Sequence, residues 1–507
     1  MSNDSQPNPY LFEGASKNVP ETMGRSSSPD ALSSSGVTSA TDSPLVRGLS
    51  AWDTTALVVG SVIGSGVFLK AGAMAKEVSS PMQLIGAWVA AGILSLMGAL
   101  TYAELGAMLP HAGGEYIYLR QSYGQAMAFF YGWGRFAVAS TASIAALAAG
   151  IATFSRDFIG YGTPWIEYKF KAFGVYDHTI FFGWEQILAI SSILAISFLN
   201  CFAVAWGGKF QTFITILKVA SLVLIIGGAL YFSRTASWTH LAQPEGRPAW
   251  SGFSAFGVAM LAALWGYDGW NNMPMAAGEV RDPGKNMPRA LIGGMILVMA
   301  IYCVINFAYL YVLPYSEVAA SAEPGSISVA AKTSRTFLGE GAAKLISIAF
   351  VISAIGALNG NILTSARIPY AMARDKIFFR PLGAVSARTH VPVIAVLAQA
   401  IWGSILAISG TFDQLTNCLL FVSWIFYGLV CGGVIILRFT HPHEPRPYKV
   451  WGYPLTPLIF VVVAAALTVN TLIELPKESI AGLVLLAMGI PIYLYFVLLA
   501  PKATTPN

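Results

Sequence analysis

The chain has 507 residues, of which 55% are hydrophobic and only 11% charged, with a formal net charge of +5 and a mean hydropathy of +0.61. An ordinary soluble protein carries about 25% charged residues, so this composition excludes a soluble enzyme, a secreted domain and a nucleic-acid-binding factor; the 30 Lys and Arg are scattered between apolar runs and form no basic stripe. What remains is a polytopic membrane protein, all-α because the alternating pattern of membrane-crossing barrel strands is absent.

Residues 1–48 are rich in Ser, Pro, Asn and Asp and poor in large apolar residues, which predicts a disordered cytoplasmic tail. The first apolar run begins too far along the chain for a signal peptide. Twelve apolar segments follow, each long enough to cross a hydrocarbon core of about 30 Å at about 1.5 Å per residue. They are 54–75, 82–108, 125–154, 186–206, 210–232, 253–278, 289–313, 342–366, 391–409, 414–438, 454–474 and 480–500.

The first span holds Gly60-Ser61-Val62-Ile63-Gly64-Ser65-Gly66. Each glycine destabilises a helix by roughly 1 kcal/mol, so the run reads either as a mid-membrane break or as close helix packing, since Gly60 and Gly64 have GxxxG spacing. Arg135, early in the third span, reads as snorkelling or as structurally paired. Lys218 lies close to the middle of the fifth span. It either snorkels to the cytoplasmic interface or anchors between helices, its ammonium occupying the place of a sodium ion against the broken first helix. The sixth span contains Trp265-Gly266-Tyr267-Asp268-Gly269-Trp270-Asn271-Asn272, then Pro274. A carboxyl at this depth is costly and marks a functional site unless a neighbouring helix satisfies it.

Other signals narrow the class. Cys201, Cys303, Cys418 and Cys431 form no CxxC pair, so neither a metal site nor a disulfide framework is expected, and nothing calls for a cofactor. No GxxxxGK[ST] string occurs, which disfavours an ATP-driven pump. The richest basic stretches, Arg281/Lys285/Arg289, Arg367 through Arg388 and Arg438/Arg446/Lys449, fall on the cytoplasmic side if both termini do.

Spans one and six each open a set of five. Because five is odd, the second set is inserted with opposite topology. The predicted organisation is a tail over 1–48, a first repeat over 49–240, an inverted repeat over 241–440, and helices 11 and 12 with a cytoplasmic C-terminus over 441–507. Interrupted helices at matching positions of inverted halves point to a transporter site at the bilayer midplane. Free N–H groups at a half-helix start suit a carboxylate and free carbonyls at a half-helix end suit an ammonium. A site with both suits a zwitterion, and an amino acid is one.

Several strings resemble the amino acid–polyamine–organocation superfamily, more closely the L-type amino acid transporter light subunits and their bacterial relatives. They are Gly60 to Phe68, Thr101-Tyr-Ala-Glu-Leu-Gly106, Gly113-Gly-Glu-Tyr116, Gly266-Tyr-Asp-Gly-Trp-Asn271, Gly278-Glu-Val-Arg-Asp-Pro283 and Asn359 to Arg367, and the likeness runs from about residue 48 to 500. It implies a LeuT-like 5+5 inverted repeat plus two helices. It also implies that Ser65 and Gly66, beside Gly64, offer N–H groups to a substrate carboxylate. The carbonyls of Val62, Trp265 and Asp268 would receive the ammonium. Trp265 would be an aromatic gate swinging about its χ1 and the adjoining Gly266, Lys218 the lysine of sodium-independent members, and Ser353 its partner. Two departures stand out. Asp268 occupies a position that is glycine in many animal members, and the outer loop at 155–185 lacks the cysteine by which those members bind a heavy chain.

The expected function is sodium-independent secondary transport of neutral amino acids, by exchange or proton coupling, across a plasma or bacterial inner membrane. A cationic amino acid or polyamine carrier is the alternative, argued from Asp268. A transport-inactive sensor is a third, disfavoured by the intact glycine-rich first span. An enzyme is not expected, and no heavy-chain partner is.

Overall fold

An apolar chain in a bilayer must satisfy its own backbone, and this one does so with helices. A computed structural model describes residues 45–160, 164–172, 176–202, 204–242, 250–323, 326–409, 412–474 and 476–499; all but the last few residues of the expected tail lie outside the described residues. Among the described residues, ten helices are long and apolar enough to cross a membrane, and two shorter apolar ones, Phe253–Tyr267 and Val393–Ile408, bring the number to the expected twelve. The sixth is short because it breaks after Tyr267.

The observed helices begin at a capping box, in which the Ser50 hydroxyl accepts from the Asp53 backbone N–H while the Asp53 carboxylate accepts from Ser50. The first span is two helices, Ala51–Val62 and Gly66–Glu77, separated by residues 63–65. The second is Pro81–Met108. The third runs over Gln125–Arg156 and winds as a π-helix at Arg135–Ala139. The fourth and fifth are Trp184–Phe202 and Val204–Phe232, and the seventh is Pro283–Val312. The eighth is Ala342–Ser365, continued by Arg367–Arg374. The tenth to twelfth cover Leu420–Thr440, Leu455–Glu474 and Ser479–Leu498.

One element departs from an all-helical reading. The loop between spans three and four carries a hairpin, β1 (Ile166–Ala172) and β2 (Tyr176–Phe182), antiparallel with Ile166 opposite Phe182. The segment IEYKFKA…YDHTIFF is rich in β-branched and aromatic residues, which favour strands wherever no helix partner competes.

Each of the first three spans packs on the span five places later: one on six, two on seven, three on eight. Span one is 83% buried and span twelve 11%, so the broken helix lies at the centre and the last span at the rim. Ion pairs fix one end of the bundle. Arg367 grips Glu279 bidentately at 2.7 and 3.1 Å, both side chains fully buried. Glu104 at the end of span two takes Arg438 at 2.6 Å and the Val450 N–H at 2.7 Å.

Candidate functional site

A helix that stops at Val62 leaves carbonyls without intrahelical donors, and three other spans supply them. Lys218 of span five is fully buried and does not snorkel. Its Nζ donates to the carbonyls of Gly60 (2.7 Å) and Ile63 (2.5 Å). Ser353 of span eight donates through Oγ to Ile63 and Gly64, both at 3.1 Å. From span seven, the Tyr302 hydroxyl reaches the Val62 carbonyl at 3.1 Å and the Gly266 carbonyl at 3.0 Å. Ser65, next in the chain, starts the second half-helix but makes no side-chain cap. The first N–H groups of that helix therefore keep the positive dipole end open.

The second break lies against the first. Span six ends at Tyr267, turns through residues 268–271, and resumes at Asn272–Met275. Gly269 has φ +117°, and a side chain there would begin 2.7 Å from the Ser61 carbonyl oxygen, so only glycine admits both the backbone and the contact. A Cβ on Gly66 would stand 2.6 Å from the Gly266 Cα and 3.2 Å from the Trp265 ring. The turn begins two residues beyond Gly266, which is itself helical, packed under Trp88 and held through its carbonyl by Tyr302. The non-helical stretch next to the Trp265 ring is thus residues 268–271.

Between the breaks is a cavity of about 490 Å³, counting its open side. Val62, Gly64, Ser65, Gly66, Trp265, Gly266 and Asp268 all line it. Lys218 and Ser353 do not; they stand behind the first break and hold its carbonyls. Trp265 is half-buried, with the Lys70 ammonium 4.7 Å from its ring centroid. The Asp268 carboxylate accepts from the Tyr427 hydroxyl of span ten at 2.7 Å while its backbone N–H donates to the Trp265 carbonyl at 3.3 Å. Asp268 therefore both closes the end of the half-helix and forms part of the wall.

Several wall and support residues did not stand out in the sequence. Ser143, Ala146 and Leu147 of span three, and Ala357 and Asn361 of span eight, face the same cavity. Asn272, already conspicuous in the span-six string, also lines the cavity, and its Oδ1 accepts from the buried Arg135 at 3.0 Å. Beneath it, Glu115 is fully buried. It accepts from Tyr102 at 2.5 Å, from Tyr131, and from Asn271 Nδ2 at 3.4 Å. Arg135 and Glu115 thus fix the turn of span six from below, and Arg135 is structurally paired rather than snorkelling. The polar residues of Gly113–Tyr116 and Asn359–Arg367 were the available signal for this layer.

Known proteins align with the chain over the whole of this architecture. It is 31% identical over 440 residues to the serine/threonine exchanger SteT of Bacillus subtilis, covering 86% of this chain and 94% of that one. It is 30% identical over 450 residues to the human b(0,+)-type amino acid transporter 1, covering 87% and 86% of the two chains. With the human cystine/glutamate transporter it shares 28% identity over 458 residues, covering 90% and 85%. The family model described as amino acid permease matches residues 49–497, from the start of the broken first helix to the last span, and the chain belongs to that family of amino acid transporters.

Proposed function

We propose that the cavity binds an amino acid as a zwitterion and that the chain exchanges neutral amino acids across the membrane without sodium. The observation that carries the reading is the Lys218 ammonium on the carbonyls of Gly60 and Ile63, directly behind an open half-helix start at Gly66. In this reading the N–H groups of Ser65 and Gly66 take the substrate carboxylate. The carbonyls of Val62, Trp265 and Asp268 take its ammonium; each carbonyl has two lone pairs, so the bonds that Val62 and Trp265 already accept leave one free. The fixed ammonium of Lys218, with Ser353 beside it, does the work of a bound cation, and Trp265 covers the substrate. No chemical step on the substrate is included, so the chain is a carrier and not an enzyme.

The pairing of spans one with six, two with seven and three with eight supports inverted repeats over 49–240 and 241–440, with spans eleven and twelve appended. The basic inner stretches support cytoplasmic termini in a plasma or bacterial inner membrane. The absence of cysteine at 155–185 supports function without a disulfide-linked heavy chain. A cationic substrate is the second reading, favoured by the Asp268 carboxylate on the wall.

The test is uptake of radiolabelled L-serine into proteoliposomes, with and without internal amino acid, in sodium and in choline. Stimulation by internal amino acid and equal rates in the two salts are expected. A requirement for sodium would refute the role given to Lys218, and stronger competition by L-lysine than by neutral amino acids would favour the second reading.

A further inference from the structure

If the two breaks hold the carboxylate and ammonium, the substrate side chain must lie against the rest of the cavity wall, which spans one, three and eight supply. That wall is not apolar. Asn361 is 3% exposed and its Oδ1 has no hydrogen-bond partner; Ser61 on span one is 8% exposed and its Oγ has none. Both line the cavity. Span eight packs on span one here: a side chain added at Gly360, the residue before Asn361, would meet the Ser61 Oγ. The other wall residues from spans three and eight are Ser143, Ala146, Ala357 and one larger apolar residue, Leu147. A buried acceptor or hydroxyl left unpaired is costly, and spans one and eight each bring one such residue to the cavity wall.

We propose that Asn361, with Ser61, forms a side-chain subsite for a small hydroxyl-bearing amino acid. The proposal rests on the zwitterion reading above and adds the substrate class to it. The substrate hydroxyl donates to Asn361 Oδ1 and accepts from the Ser61 hydroxyl, so both orphaned groups are satisfied on binding. An isosteric methyl satisfies neither. Sites built to hydrogen-bond a substrate hydroxyl reject the analogue that lacks it far more strongly than apolar pockets reject an added methylene.

Threonine and valine have the same shape and differ in this one group, so their ratio of kcat/KM reads the subsite directly. In proteoliposomes loaded with L-serine, uptake of L-threonine over L-valine is expected to be favoured about tenfold or more, the effect of pairing one or two buried polar groups. Asn361→Leu, close in size, should lower kcat/KM for threonine about tenfold and leave valine within about twofold. Ser61→Ala should lower the same ratio severalfold. A wild-type ratio near one, or no uptake of either amino acid, overturns the proposal. So does an equal loss of both substrates in the two variants, which marks a structural role. Gly66→Leu separates this from failure of the underlying site. If that variant still transports threonine normally, the zwitterion reading falls; if it is dead while Asn361→Leu leaves the threonine/valine ratio unchanged, only the subsite falls.

Discussion

Lys218→Met is the most direct test of how the first break is held. Methionine keeps the length and apolar stem of lysine and removes the charge and donors. Two contacts are lost, at 2.7 Å to Gly60 and 2.5 Å to Ile63. Ile63 keeps the Ser353 hydroxyl at 3.1 Å, so one carbonyl, that of Gly60, loses its side-chain donor in a buried position. Two charge-assisted hydrogen bonds contribute about 1.5–3 kcal/mol each, and the ammonium no longer has to be desolvated, which returns several kcal/mol. The remainder is set by the orphaned carbonyl, about 1–3 kcal/mol. The variant should therefore melt measurably lower than wild type in detergent, and its transport should fall by roughly one to two orders of magnitude. Lys218→Arg should not rescue it, because a side chain at Gly356 would stand only 2.9 Å from Lys218 Cε; helix eight already packs tightly on the lysine stem, leaving no room for a guanidinium. Thermal melts of the purified variants and exchange in proteoliposomes check both statements. Wild-type stability and turnover in Lys218→Met would refute the argument, since the carbonyls would then have an adequate alternative.

At Gly66 the constraint is steric: a Cβ 2.6 Å from the Gly266 Cα pushes two backbones apart, so Gly66→Leu should abolish substrate binding, read as loss of substrate-induced thermal stabilisation; retained binding would move the carboxylate site elsewhere. Trp265→Ala should slow exchange more than it weakens binding and should shift preference toward bulkier side chains. The backbone contacts survive that truncation, whereas the ring and its Lys70 contact, worth about 0.5–1 kcal/mol at a partly exposed site, do not. A variant that binds weakly but turns over at the wild-type rate would make Trp265 a wall and place the gate elsewhere.

What could be read from sequence was what contradicts a membrane helix. Three glycines in seven residues, an aspartate beside two asparagines, and a lysine in mid-span each violate the local rule for an apolar helix, and a violation at that depth needs a reason. Those residues converge: Gly64, Gly66, Asp268 and Asn272 line one cavity and Lys218 grips the break beside it. The tyrosines were invisible for the opposite reason. Tyr302, Tyr427, Tyr102 and Tyr131 carry large apolar bodies, so each belongs naturally to an apolar run, and nothing in the run says which carbonyl or carboxylate its hydroxyl will meet. Asn361 was on the page within Asn359–Arg367, but its orientation depends on how span eight is rotated against Ser61. The end of the first half of span six is marked not by Gly266, which is helical, but by the aspartate and the positive-φ Gly269 after it.

A tethered ammonium has a consequence for energy coupling that a bound ion does not. A sodium ion at this place enters and leaves in each cycle, so its gradient does work on the carrier. Lys218 cannot leave. Under the reading proposed here Lys218 keeps its proton throughout, so the charge behind the break is the same whether the cavity is empty or filled, and a zwitterion adds no net charge to it. Moving one elementary charge through the full membrane potential is worth about 2.3 kcal/mol per 100 mV, and a neutral cargo on an unchanged site collects none of it through this step. Under the reading proposed here, what remains to drive net movement of one amino acid is the concentration of another on the opposite side. That makes exchange the mode this geometry supports most simply. It also assigns the specificity of the wall around Asn361 a second importance, because in an exchanger the same wall selects both the amino acid that enters and the one that leaves.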